Sequence, residues 1–166
     1  MVATLDPLKA QPHTLGRPSA IQCPIYLFKE HYNSLCDGKD YVNRSDFNPF
    51  HIPHILPHIA ILETADKVND TGLFDFKIRL SGEEVVNCHR ANHTGKKLSD
   101  IYDGEELLDR LELYNSILHQ PRIKVLQNIT PHRLPYHVKI DKGIFPFSSS
   151  GNQIDQLFFV EKRNGK

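Results

Sequence analysis

Phe74-Asp75-Phe76-Lys77-Ile78-Arg79-Leu80-Ser81-Gly82 is the stretch on which the fold turns. Apolar residues at 74, 76, 78 and 80 alternate with charged residues at 75, 77 and 79. That is the two-residue period of a β-strand with one face buried and one face wet. Such alternation points to an antiparallel sheet, because strands of parallel sheets are covered on both faces and read as continuous apolar runs. Upstream, residues 59–64 (IAILET) read as a partner strand, joined through the polar turn ADKVND. Gly82 ends the strand, EEVVNCH after it reads as one short helix, and TGKKLSDIY as a second short turn.

Further downstream, residues 103–119 have the strongest helical pattern. Asp103 suits the N-cap and Glu106 stands three residues later, the spacing of a capping box. Leu107, Leu111, Tyr114 and Leu118 form one stripe, widened by Leu108 and Ile117, and Pro121 stops it. Strands are expected at 122–129, 137–147 and 154–161, the last two linked by the turn-rich SSSGNQ. Towards the N-terminus, a helix over 24–37 begins at Pro24, with Ile25, Phe28, Tyr32 and Leu35 at helical spacing and Gly38 at its stop. Pro49, Pro53 and Pro57 exclude a long regular helix between there and the first strand. Residues 1–22 hold Pro7, Pro12, Gly16 and Pro18 without periodicity and read as a mobile arm, leaving 23–166 as one domain. The elements are segregated rather than alternating, which is the α+β class.

Composition narrows the function. The 166 residues suit one domain with its own core. Lysine plus arginine equals aspartate plus glutamate, 20 each, so the chain lacks the positive excess that binds nucleic acid. Zero formal charge favours self-association. Three cysteines, without a C-x-x-C pair, argue against a disulfide framework or a cysteine zinc site. No apolar run near the N-terminus is long enough for a leader or a membrane span, so a cytoplasmic location is expected.

Four segments carry a family resemblance: SDFNPFHIPHILPHIAILE (45–63), FDFKIRLSGEEVV (74–86), HTGKKLSDIY (93–102) and GNQIDQLFF (151–159). Together they resemble a family of small standalone bacterial PAS-like proteins. In that family an acidic-x-x-Pro segment, here Asp46 to Pro49, leads through a Leu-Pro into the first strand. A strand ending Arg79-Leu80-Ser81-Gly82 follows, and a Thr94-Gly95-Lys96 turn precedes the long helix. One departure is Phe145-Pro146-Phe147, where the family has the slimmer Leu-Pro-Leu. The resemblance implies a five-stranded antiparallel sheet with the short helices and the longer helix on one face, preceded by the N-terminal helix. It also implies a sensory or signal-transduction role without an output domain in the chain. PAS domains bind small molecules between the sheet and the helices, or pair through the sheet and an N-terminal helix.

Candidate residues follow. Phe76, Ile78, Val86, Leu111, Tyr114, Phe145 and Phe158 are expected around a pocket between sheet and long helix, with His89 as its polar group. The competing reading of the same residues is a filled core. Ile25, Phe28, Tyr32 and Leu35 are the candidate contacts of a homodimer, the alternative being an interaction module without ligand that signals to another protein. A small α+β enzyme of unknown reaction is the third reading, although no nucleophile elbow, phosphate loop or HExxH occurs and no catalytic residue is assigned. His51, His54 and His58 are spaced for a metal only on a continuous helix, which Pro53 and Pro57 break, so no metal site is expected. Asn87-Cys88-His89-Arg90 lies before the Thr-Gly-Lys turn and lacks the continuation of flavin-photoadduct domains. His119 ends its helix beside Pro121 and is expected to face solvent, away from any haem. The residues therefore require no cofactor. Arg79 is expected on the wet face of its strand, solvated or salt-bridged.

Overall fold

The computed structural model describes residues 23–131 and 138–164. The expected arm at 1–22 and the first residue of the expected 137–147 strand lie outside the described residues. The chain runs α1 (Pro24–Cys36), β1 (Val42–Asn43), three 3-10 turns (Arg44–Asp46, Pro49–His51, Leu56–His58), β2 (Ile59–Lys67) and β3 (Phe74–Ser81). It continues through α2 (Glu83–His89), α3 (Leu98–Ile101), α4 (Gly104–His119), β4 (Lys124–Ile129), β5 (Ile140–Ser148) and β6 (Gln156–Arg163). Among the described residues no helix is long and apolar enough to cross a membrane.

One mixed sheet holds the molecule together. Its order is β1-β5-β6-β2-β3, with β4 also on β5. The expected count of five strands is corrected to six. The extra strand, β1, is two residues long and runs parallel to the end of β5, pairing Val42 with Phe147 and Asn43 with Ser148. β4 occupies the other half of the same β5 edge, antiparallel, pairing Lys124 with Ile144.

Helices cover both faces of this sheet, where one face was expected. On one side α2, α3 and α4 bury Leu62, Phe76, Ile78, Leu111, Tyr114, Ile144, Leu157 and Phe159. On the other, α1 and the turns bury Phe28, Tyr32, Phe47, Phe145, Phe147, Phe158 and Val160. The central strands show why: Leu157-Phe158-Phe159-Val160 is apolar at every position, as a doubly covered strand must be. Phe28 is fully buried, its ring 4.6 Å from that of Phe145, and burial on this scale is worth about 2–3 kcal/mol. The Tyr32 hydroxyl donates to the Pro146 carbonyl at 2.6 Å. The stripe Ile25, Phe28, Tyr32 and Leu35 thus packs on its own chain's sheet.

β3 is an edge strand, and it departs from its own pattern twice. Asp75, expected on the wet face, is buried, its carboxylate accepting from Phe76 N–H and Ser99 Oγ. β2 pairs Leu62 with Ile78 but Ile61 with Leu80, so a bulge skips Arg79. Leu80 is thereby turned out of the face it shares in sequence with Phe76 and Ile78, and is 44% exposed. Arg79 is solvent-facing and salt-bridged to Glu63 at 3.1 Å. The open edge of β3 is covered: Ile78 N–H donates to Lys96 O at 2.9 Å, and Gly95 N–H donates to Ile78 O at 2.7 Å. Gly95 has φ +91°, which explains glycine in the Thr-Gly-Lys turn. Asn115 of α4 clamps the same edge, accepting from Phe74 N–H and donating to Phe74 O, both at 3.0 Å.

One helix start differs from expectation. Asp103 is the N-cap of α4 but its side chain makes no cap bond. The cap bond is made one helix earlier, where the Asp100 carboxylate accepts from Lys97 N–H at 3.0 Å.

Candidate functional site

The strand pleat sets up the site. Lys142 on β5 and Glu161 on β6 are directly opposite in register. Two-residue alternation puts Lys142 with Ile144, and Glu161 with Phe159, on the face that meets α2 to α4. There the Lys142 Nζ lies 3.2 Å from Glu161 Oε2. His89, the last residue of α2, brings its Nε2 to 2.7 Å from Glu161 Oε1. The side chains are 8% (Lys142), 2% (Glu161) and 14% (His89) exposed. His58, at the end of the last 3-10 turn, bonds through Nδ1 to the Glu161 carbonyl at 3.0 Å. Lys142 Nζ also sits 4.8 Å from the ring centre of Phe159.

This trio forms the polar end of a cavity of about 50 Å³. Ala60 and Leu62 of β2, Ile78 of β3, Val85 of α2, Leu98 of α3 and Phe159 supply apolar wall. Tyr102 and Tyr114 complete the helical side, and the Arg110 guanidinium stacks on Tyr102 at 3.9 Å. An open groove of about 470 Å³ on the opposite sheet face is lined by Phe47, Pro53, Leu56, Ile61 and Leu80. It is the larger space, but it has no comparable convergence of buried charges.

Burial works against a charged Glu161, yet the Lys142 charge and the His89 hydrogen bond outweigh it and pull the carboxyl down to about 2. Burial likewise opposes the Lys142 ammonium, and the facing Tyr114 and Glu161 hold its pKa above the ordinary lysine value. Both groups are therefore ionised around neutral pH. Burial, with Glu161 and Glu84 nearby, pushes the Cys88 thiol up to about 11, so it is a packed thiol rather than a nucleophile.

Of the residues expected around a pocket, His89, Ile78 and Tyr114 line the cavity. Phe76 and Leu111 belong to the same core cluster without lining it. Val86 is half-buried, and its neighbour Val85 takes the inward position of α2. Phe145 and Phe158 face α1, across the sheet. Lys142 and Glu161 were not among the candidates. The signal for them was their two-residue offset from Ile144 and Phe159.

The three spaced histidines separate. His51 bonds with the Asn48 side chain at 3.4 Å and meets the His31 ring at 6.0 Å, while His58 turns to Glu161. Among the described residues no three His, Cys, Asp or Glu side chains are grouped to hold a metal ion. Comparison with family models, with curated proteins and with solved structures finds no match to this chain.

Proposed function

We propose that this chain is a PAS-type sensory module that binds a small organic ligand in the cavity between the sheet and α2 to α4. The observation that carries the reading is the trio Lys142, Glu161 and His89 at the end of an apolar cavity. A buried ion pair contributes little to stability compared with apolar side chains of the same size. Polar groups convergent on an apolar hollow are what orient a ligand. The element order supports the PAS-type reading: two long strands, two short helices, a long helix, then three strands. So does the cavity's position between sheet and helices, where PAS domains take small molecules.

Native mass spectrometry of the purified chain, with a thermal-shift panel of metabolites, tests this. A small molecule should copurify or raise the melting temperature. Both effects should vanish in Ala91→Leu, which fills the cavity from its half-buried rim. No copurifying mass and no thermal shift across the panel would sink the ligand reading.

A further inference from the structure

The open groove on the α1 side of the sheet has its cause in the fold. α1 packs chiefly on β5, β6 and β1, which leaves the paired ends of β2 and β3 beside it. The bulge at Arg79 then brings Leu80 to this face, opposite its register partner Ile61. Both line the groove, together with Phe47, Leu56 and Phe158. Leu80 is 44% exposed, so apolar surface lies open there.

Phe50 stands at the rim. It is the middle residue of the Pro49–His51 turn, and Pro49 itself lines the groove. The Phe50 N–H donates to Asn48 Oδ1 at 3.0 Å, which fixes the turn. Phe50 is nonetheless 85% exposed, and it does not line the groove of its own chain. A phenyl ring is thus held out in water next to an apolar hollow that it does not fill. A two-fold axis between such a knob and such a hole lets each copy fill the other, because an isologous interface sets one patch against itself. A hollow of about 150 Å³ takes a benzene, so a groove of about 470 Å³ has room for the ring and part of its turn.

Charge adds a second self-complementarity. Arg44 and Glu83 both line the groove. The Arg44 guanidinium lies over the Phe47 and Phe158 rings at 5.5 and 5.7 Å. Among the described residues neither Arg44 nor Glu83 is in an ion pair. The formal charge of the chain is zero, so two copies approach without net repulsion.

We propose that this face is the contact between two copies of the chain, with Phe50 of each copy entering the groove of the other and Arg44 of each facing Glu83 of the other. One patch then supplies the knob, the hole and both charges, and no second protein is needed to complete it. The cavity of Lys142 and Glu161 lies across the sheet, so the contact does not depend on a ligand.

Sedimentation of the full chain from about 5 to 500 µM tests it. The parent should dimerise with a Kd of about 100 µM or tighter. Phe50→Ser should weaken the dimer at least about tenfold with an unchanged melting temperature, because the side chain it removes is exposed. Arg44→Glu and Glu83→Arg should each weaken it about tenfold, and the double variant should regain most of the loss. Should Arg44→Glu fail to fold, Leu80→Lys takes its place as the second test of the groove. A parent that stays monomeric throughout would overturn the proposal and leave the groove to residues 1–22 or to a different protein. A dimer that Phe50→Ser leaves intact would overturn the assigned surface. A double charge variant as weak as the two single losses combined would overturn the pairing of Arg44 with Glu83.

Discussion

Lys142→Met isolates the physics of the site from its biology. The substitution keeps a long unbranched side chain on β5 and removes the charge. Glu161 is then a carboxylate with 2% exposure and His89 as its remaining side-chain partner. At an effective dielectric near 20, a 3.2 Å ion pair carries roughly 5 kcal/mol of attraction. Breaking such a buried pair from one side costs about 3–5 kcal/mol. For a domain of this length that lowers the melting temperature by roughly 6–20 °C. Glu161→Leu alone should cost a comparable amount, because it strands a buried ammonium. The double variant Lys142→Met/Glu161→Leu places two apolar side chains opposite each other in register, so it should return to within about 2 kcal/mol of the parent. Equilibrium urea unfolding, followed by far-UV circular dichroism because the chain contains no tryptophan, measures all four proteins. The reasoning is refuted if Lys142→Met costs under about 1 kcal/mol, or if the double loss equals the sum of the single losses, about 6–10 kcal/mol.

Further expectations rest on other contacts. Glu161 has its carboxyl pulled from 4.5 to about 2 in the folded chain. The stability it contributes is therefore complete above its unfolded value and lost as pH falls towards about 2, which acid titration of the melting temperature should show for the parent and not for Lys142→Met/Glu161→Leu. Gly82→Ala would bring a Cβ to 2.4 Å from the Pro57 carbonyl oxygen; urea unfolding should register a loss of about 1–3 kcal/mol. Asn115→Leu strands both the N–H and the carbonyl of Phe74. It should cost about 1–3 kcal/mol and raise amide exchange at the start of β3 first. Cys88, buried and with its thiol pushed up to about 11, should react with a thiol-specific reagent only in urea, while the half-buried Cys23 reacts in the folded chain.

How much of this was legible depended on whether a local pattern decided the outcome. α2 could be read to the residue, because EEVVNCH after Gly82 is a single amphipathic stretch; Arg90 in the left-handed region ends it. The edge strand β3 was legible too, its alternation kept from Phe76 to Arg79, although Asp75 is buried where a wet position was expected. The bulge at Arg79 was not, because it depends on how β2 lies alongside. The second covered face was missed for a related reason. Ile25, Phe28, Tyr32 and Leu35 announce an apolar stripe, but no local signal says whether such a stripe packs on its own chain or on another. What decides is Gly143, whose missing side chain admits Ile25 and Phe145 to within about 3 Å of where a Cβ would stand.

The site itself shows the limit most sharply. His89 was found as a polar group at the end of a short helix beside a core. Lys142 and Glu161 were passed over, because charged residues in strands are ordinarily solvent-facing. Yet the run after Lys142, Gly143 to Phe147, and the run before Glu161, Leu157 to Val160, are apolar at every position, so both faces of β5 and β6 are covered along those runs. On a doubly covered strand a charge has no solvent face to occupy, and it must be buried opposite a counter-charge. Lys142 and Glu161 stand two residues beyond Ile144 and Phe159, on adjacent antiparallel strands, so they meet in register. A lysine and a glutamate in two central strands, each an even number of residues from a buried aromatic or branched residue on the helix side, are therefore readable as a buried pair once both faces are known to be covered. The covering of their own face by α2 to α4 is what turns two charged strand residues into the polar end of a cavity.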